Sequence, residues 1–239
     1  PFAVLDTPAV ITCVNKEVVI DATASSTGPD FTYQWQGPGI VTGSNTLLVA
    51  VREAGTYKLT VTGKGGCVAS ASVTVRKDVT APPANAGGSD LVLNCAFPQR
   101  ALEPLNAIAH TYNWSGSGIL SGHQTAHPVV QKPGIYYVTV TNAATGCVAT
   151  DSVRITEDFD YPQADAGPTF QLTCFQTSYT IPASATRGPD MTYEWTTIGG
   201  HIVSPVYLLN PIIDGAGRYF LKVTNNRNGC TAVSSVQIY

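Results

Sequence analysis

Gly55-Thr56-Tyr57-Lys58-Leu59-Thr60-Val61-Thr62 decides the fold of this chain, because it alternates apolar and polar side chains and because it returns twice. The second copy is Gly134-Ile135-Tyr136-Tyr137-Val138-Thr139-Val140-Thr141, and the third is Gly217-Arg218-Tyr219-Phe220-Leu221-Lys222-Val223-Thr224. Period-two alternation puts Tyr, Leu or Val, and Val on one face, the pattern of a strand with one side on a core. Upstream of each copy stands a Tyr-x-Trp: Tyr33-Gln34-Trp35, Tyr112-Asn113-Trp114 and Tyr193-Glu194-Trp195. Downstream stands a Gly-Cys: Gly66-Cys67, Gly146-Cys147 and Gly229-Cys230. An earlier cysteine, Cys13, Cys95 or Cys174, opens each unit. A unit of about 80 residues can bury a small core of its own, so each repeat is a domain and not one turn of a solenoid. Three copies of one domain build reach or valency, whereas an enzyme needs one active site. The repeat therefore points to binding or scaffolding.

The remaining strands follow the same period. The last strand of each unit starts at the second cysteine, with inward Val73 and Val75, Val153 and Ile155, or Val236 and Ile238. An early strand holds Val18, Ile20 and Ala22. Gly37-Pro38-Gly39, Gly116-Ser117-Gly118 and Gly199-Gly200 break the Tyr-x-Trp strand, as a tight hairpin requires. Nothing has a helical period. About seven short strands per unit, with turns at close intervals, read as a two-sheet sandwich. The expected fold is all-β, with three tandem sandwich domains at 1–78, 79–158 and 159–239.

The Trp on the third strand and the Gly-x-Tyr opening the sixth resemble the immunoglobulin pattern. There the tryptophan fills the core and the tyrosine hydroxyl ties a corner back to the backbone. The cysteines depart from it, since the usual second cysteine position holds Leu59, Val138 or Leu221. The combination of Tyr-x-Trp, Gly-x-Tyr-x-[Leu/Val]-x-Val-Thr, Gly-Cys and a Val-x-[Val/Ile] strand is similar to the PKD-like and Ig-like repeats of Bacteroidota surface adhesins and gliding-associated proteins. Those are commonly exported by type IX secretion. The resemblance covers all three repeats and implies an exported, surface-bound life. It does not imply a ligand.

Composition agrees. Of 239 residues only 12% are charged, and the formal net charge of −3 offers no basic field for nucleic acid. No apolar run approaches the roughly 18 residues of a membrane span, and no signal peptide opens the chain. It starts at Pro1 inside a pattern that the other repeats share, which reads as a processed piece of a longer exported protein. Two cysteines per repeat suggest one staple each: Cys13–Cys67, Cys95–Cys147 and Cys174–Cys230. Each closes a loop of roughly 55 residues, which contributes about 4 kcal/mol in the chain-entropy model. Regular pairing belongs to an oxidising compartment. One geometric condition attaches to this assignment. If the first strand runs parallel to the last, the two cysteines of a copy fall at opposite ends of the sandwich, and the first must cross over to reach its partner.

Between repeats run Arg76-Lys77-Asp78-Val79-Thr80-Ala81-Pro82-Pro83 and Thr156-Glu157-Asp158-Phe159-Asp160-Tyr161-Pro162. Short, proline-bearing linkers predict a semi-rigid rod. The second junction collects Asp158, Asp160 and Asp165, and the loop before the Trp strand adds Asp190. Carboxylates grouped without basic neighbours suit calcium, so this junction is the candidate site for a structural calcium, the alternative being solvated linker acids; no other cofactor is expected. The first junction is poorer, with Asp78 beside Lys77 and Ala109 where repeat 3 has Asp190.

Other chemistry is scarce. His110, His123, His127 and His201 do not recur at equivalent positions, and His123 and His127 lie in a Gly/Thr-rich stretch where their spacing does not put them on one face. There is no Gly-x-Ser-x-Gly, P-loop or Cys-x-x-Cys. Trp35, Trp114 and Trp195 could stack on sugars, but their mid-strand place beside a tyrosine in every copy favours a core role. Asn113-Trp114-Ser115 matches a glycosylation sequon, and Asp151-Ser152-Val153 resembles a Bacteroidota O-glycosylation motif. The function expected is a non-enzymatic extracellular stalk or adhesive segment of a larger surface or secreted protein. The alternatives are a subunit of a self-assembling filament or sheath and, third, a carbohydrate-binding module of a secreted hydrolase. Expected partners are neighbouring repeats, copies of the chain in a filament, or surface glycans and proteins, without nucleic acid or a membrane span.

Overall fold

The computed structural model describes residues 1–88, 91–103 and 110–239. Among them are twenty strands and no helix. The chain forms three tandem immunoglobulin-like sandwiches, and the alternation read from sequence appears directly as burial. In the first unit Phe31–Gln36, Gly55–Gly63 and Val68–Val75 form one sheet, and Val18–Asp21, Leu48–Val51 and Ile40–Thr42 form the other. Tyr57, Leu59 and Val61 point inward from the first sheet, and Ile20, Val49 and Val51 meet them from the second; all six are inaccessible to solvent. Equivalent clusters form around Tyr136, Val138 and Val140 and around Tyr219, Leu221 and Val223.

Register is the same in the three copies. Trp35 lies opposite Leu59, Trp114 opposite Val138 and Trp195 opposite Leu221. Tyr57 lies opposite Val73, Tyr136 opposite Val153 and Tyr219 opposite Val236. Each tryptophan is buried to 4% exposure or less. Each indole N–H donates to a loop carbonyl, that of Thr46, Thr125 or Leu209. The rings therefore fill the core and present no sugar-stacking platform. The tyrosine hydroxyls donate to the carbonyl four residues upstream, at Glu53, Lys132 and Gly215. That is the corner implied by the immunoglobulin resemblance. Burial pushes all three phenols above their ordinary range. Gly37 and Gly116 lie against the faces of Tyr57 and Tyr136, where a Cβ would collide with the ring.

The early segment of each unit pairs in parallel with the last strand of the same unit. Ile11 bridges Lys77, Val92–Asn94 pairs with Thr156–Asp158, and Phe170 bridges Ile238. The first cysteine, just beyond this pairing, therefore sits at the C-terminal pole of its unit. The second cysteine, where the last strand starts, sits at the N-terminal pole.

Candidate functional site

The cysteines are the repeated functional groups, and their pairing differs from the assignment made by sequence. Cys13 is bonded to Cys147 and Cys95 to Cys230, with Cα atoms 5.0 and 4.9 Å apart. Cys67 and Cys174 are free and exposed. Each bond thus joins the early cysteine of one unit to the late cysteine of the next, and none staples a single unit. The parallel first strand is the cause. The residues from Cys67 to Lys77 run nearly extended at about 3.3 Å each, so roughly 30 Å separates the two poles. A disulfide spans Cα atoms only about 4.4–6.8 Å apart. The crossover that the within-repeat pairing needed is not made.

Each clasp is built from two small turns. On the donor side Thr12-Cys13-Val14-Asn15 is closed by the Thr12 N–H to the Asn15 carbonyl at 2.9 Å and by the Asn15 N–H to Thr12 Oγ1 at 3.0 Å. Asn94-Cys95-Ala96-Phe97 repeats it, with Asn94 Oδ1 in place of the threonine hydroxyl. Short polar side chains favour such turns because they bond their own backbone. On the acceptor side the hairpin before the last strand ends in Gly146-Cys147 or Gly229-Cys230. Their glycines have φ of 69° and 72°, a left-handed conformation that glycine adopts without steric cost.

The two sides meet closely. The Val14 N–H donates to the Thr145 carbonyl at 3.4 Å, and the Ala96 N–H to the Asn228 carbonyl at 3.1 Å. A Cβ at Gly146 would strike Val14, and one at Gly229 would strike Ala96. Glycine is needed at these positions for close approach as well as for its backbone angle. Thr145, Cys147, Asn228 and Cys230 are buried by the contact, although Thr145 and Asn228 stand in surface hairpins. The hydrophilic Asn228 is fully occupied there: its amide donates to Asp158 Oδ1 at 2.8 Å and to the Asp160 carbonyl at 3.0 Å, and its Oδ1 accepts from the Cys230 N–H at 2.9 Å. Arg227 adds an ion pair to Asp158 at 3.1 Å. The Asn228 amide, with the Arg227 guanidinium beside it, holds the Asp158 carboxyl below the usual carboxylate range. Arg227 and Asn228 were not singled out from sequence, and their only signal is that they immediately precede Gly229-Cys230.

Of the four aspartates named for calcium, Asp158 and Asp160 lie together, joined by the Asp160 N–H to Asp158 Oδ1 and by the Asn228 amide, with Arg227 on Asp158; Asp165 accepts from the Gly167 N–H, and the Asp190 carbonyl accepts from the Asn226 N–H. Among the described residues no group of three or more His, Cys, Asp or Glu is placed to hold a metal ion. Repeat 3 itself supplies the cation at this junction, in Arg227. Ala109, named for the first junction, lies outside the described residues. His123 and His127 are exposed, and Asn113 is exposed on the outer face of its strand. Asp151 is committed to the backbone, accepting from the Ala86 N–H at 2.7 Å.

No protein-family model matches the chain, and no curated protein matches it. Among solved structures it is similar to an I-band fragment of titin, with a TM-score of 0.42 and 15% identity over 99% of this chain and 98% of that one. It is also similar to the three N-terminal domains of the highly immunogenic outer capsid protein of bacteriophage RB49, with a TM-score of 0.40 and 14% identity, covering 99% and 98%. Immunoglobulin domains 1–5 of Sidekick-1 give a TM-score of 0.39 and 15% identity, and the chain spans 59% of that structure.

Proposed function

We propose that the chain is a non-enzymatic segment of an extracellular stalk or adhesin, in which disulfides lock successive sandwiches into a semi-rigid rod. The observation that supports this reading is the pairing itself: both bonds cross a junction and leave each core to stand on packing alone. Within-unit staples would stabilise domains that could still swing about their linkers. A bond across the junction, beside the linker, removes that freedom. The bonds fit an oxidising compartment, as does the resemblance to Bacteroidota surface repeats. Its role is to hold a more distal or neighbouring module at a set distance and angle.

Small-angle scattering in oxidising and reducing buffer tests this. The clasped chain is expected to keep one maximum dimension. Reduction, with the folds intact by circular dichroism, is expected to broaden the distribution as the junctions loosen. A distance distribution unchanged on reduction would remove the stiffening role.

A further inference from the structure

The two clasps leave two half-joints unmatched, one in the first repeat and one in the third. Cys174 sits in the turn Thr173-Cys174-Phe175-Gln176, closed by the Thr173 N–H to the Gln176 carbonyl at 3.2 Å and the Gln176 N–H to Thr173 Oγ1 at 3.1 Å. This is the form of the two turns that are docked. The residue after the cysteine, which packs on the next unit when it is Val14 or Ala96, is here Phe175, at 102% exposure. In the first repeat Gly66 has φ of 82°, and its N–H donates to the Gly63 carbonyl at 2.8 Å. The Gly146 and Gly229 N–H groups reach one residue further back, to the carbonyls of Asn142 and Asn225. A Cβ at Gly66 would meet nothing within 4 Å, whereas at Gly146 and Gly229 it would strike the docked neighbour. One is a projecting turn with its thiol free, and the other is an open seat with its thiol free.

We propose that a second copy of this chain fills the seat head to tail, with the Cys174 turn of one copy on Gly66-Cys67 of the next and a disulfide between Cys174 and Cys67. A second copy is the occupant favoured because both halves of the joint are on this chain: the Cys174 turn has the hydrogen bonds of its two docked counterparts, and the Gly66 seat has their left-handed glycine on a hairpin one residue tighter. The acceptor for the Phe175 N–H is the Gly65 carbonyl, at the place of Thr145 and Asn228. The seat hairpin is one residue shorter than the other two, and glycine at both 65 and 66 makes room for a ring where the internal joints hold valine or alanine. Such a contact uses different surfaces on its two sides, so each added copy still offers a free turn and a free seat, and the contact propagates into a string. The inference rests on the rod reading, since the internal clasps are its template.

The bond forms by two exchanges with a low-molecular-weight disulfide such as oxidised glutathione. The Cys174 thiolate attacks it and expels one glutathione thiolate. The Cys67 thiolate of the next copy then displaces the second, so two protein thiols become one disulfide and one glutathione disulfide becomes two thiols.

The test is oxidation of the purified chain with oxidised glutathione, read by non-reducing electrophoresis and peptide mapping. A ladder of multiples is expected, held by Cys174–Cys67 bonds well in excess of the half that random thiol pairing gives. Cys67→Ser and Cys174→Ser chains are each expected to stop short of a ladder, and mixed together to give one dimer through the two thiols that remain. Phe175→Asp, which keeps both thiols, is expected to slow the ladder at least about tenfold, by placing a charge in the seat. Both thiols still titrating after oxidation, or only symmetric Cys67–Cys67 and Cys174–Cys174 bonds, would overturn the proposal. So would material from the natural source in which Cys174 is joined to a Gly-Cys peptide foreign to this sequence, which would put a flanking repeat in the seat. The same map reports Cys13–Cys147 and Cys95–Cys230. Their presence without a ladder sinks the assembly alone, and their absence sinks the rod reading with it.

Discussion

Replacing Cys95 by alanine opens the second clasp, and its cost follows from where the clasp is anchored. The third unit is tied to the second at two points: through the linker that leaves Asp158, and through Cys230 on Cys95. Asn94 and Asp158 are register partners, so both anchors lie at the same pole of the second unit. Unfolding the third unit while the second stays folded therefore releases a loop of roughly 70 residues with its ends held together, for which the chain-entropy model gives about 4 kcal/mol. For a domain of about 80 residues that is a fall in Tm of roughly 15–30 °C. Differential scanning calorimetry of Cys95→Ala is expected to show one transition displaced by this order. Cys174→Ala is the decisive control. It removes a free, exposed thiol and is expected to leave the scan unchanged, whereas a Cys174–Cys230 staple would make it as damaging as Cys95→Ala. Equal losses from the two variants would refute the crossed pairing and the polarity argument behind it.

Four further outcomes are expected. Trp195→Ala removes a 2% exposed ring from the third core and leaves the Leu209 carbonyl without its donor; a loss of about 3–5 kcal/mol in chemical denaturation, confined to that unit, is expected. Gly229→Val puts side-chain atoms where Ala96 docks and imposes a strained backbone angle, so Cys95 and Cys230 are expected to titrate as thiols in mild oxidant that closes the parent. Asp158 has a depressed carboxyl, so its contribution to the second junction is complete above the ordinary aspartate range and lost as the pH falls through the depressed value. Amide exchange at Arg227 and Asn228 is expected to accelerate below that point in the parent but not in Asp158→Asn. Calcium at millimolar concentration is expected to leave the same amides unmoved, because Asp158 is already bonded by Arg227 and Asn228.

The core was legible because it is local. Alternation over Gly55–Gly63 names the inward Tyr57, Leu59 and Val61 without reference to anything distant, and three copies of the pattern remove chance from it. The tyrosine corner reaches back only four residues, so it too is written in a short stretch. The cysteines are different. In a tandem repeat the early and late cysteines recur with the same period, so pairing within a copy and pairing to the next copy are equally regular in sequence. What separates them is the direction of the Ile11–Lys77 pairing, a long-range fact with no local signature. The second junction shows the same limit: the cation paired with Asp158, Arg227, is far along the chain and belongs to the following unit.

Because the two clasps overlap along the chain, they also determine which parts of it carry tension. A pull on Pro1 and Tyr239 passes along the chain to Cys13, crosses to Cys147, runs backwards to Cys95, crosses to Cys230 and leaves. Only the middle unit lies on that route. Most of the first and third sandwiches hang beside it, under no direct force. Drawn taut at about 3.4 Å per residue, the route measures roughly 250 Å, against roughly 800 Å for the same chain with its disulfides reduced. Pulled by its ends, such a segment would behave as a tether with a short fixed limit, and reducing two bonds would turn it into a long, yielding one.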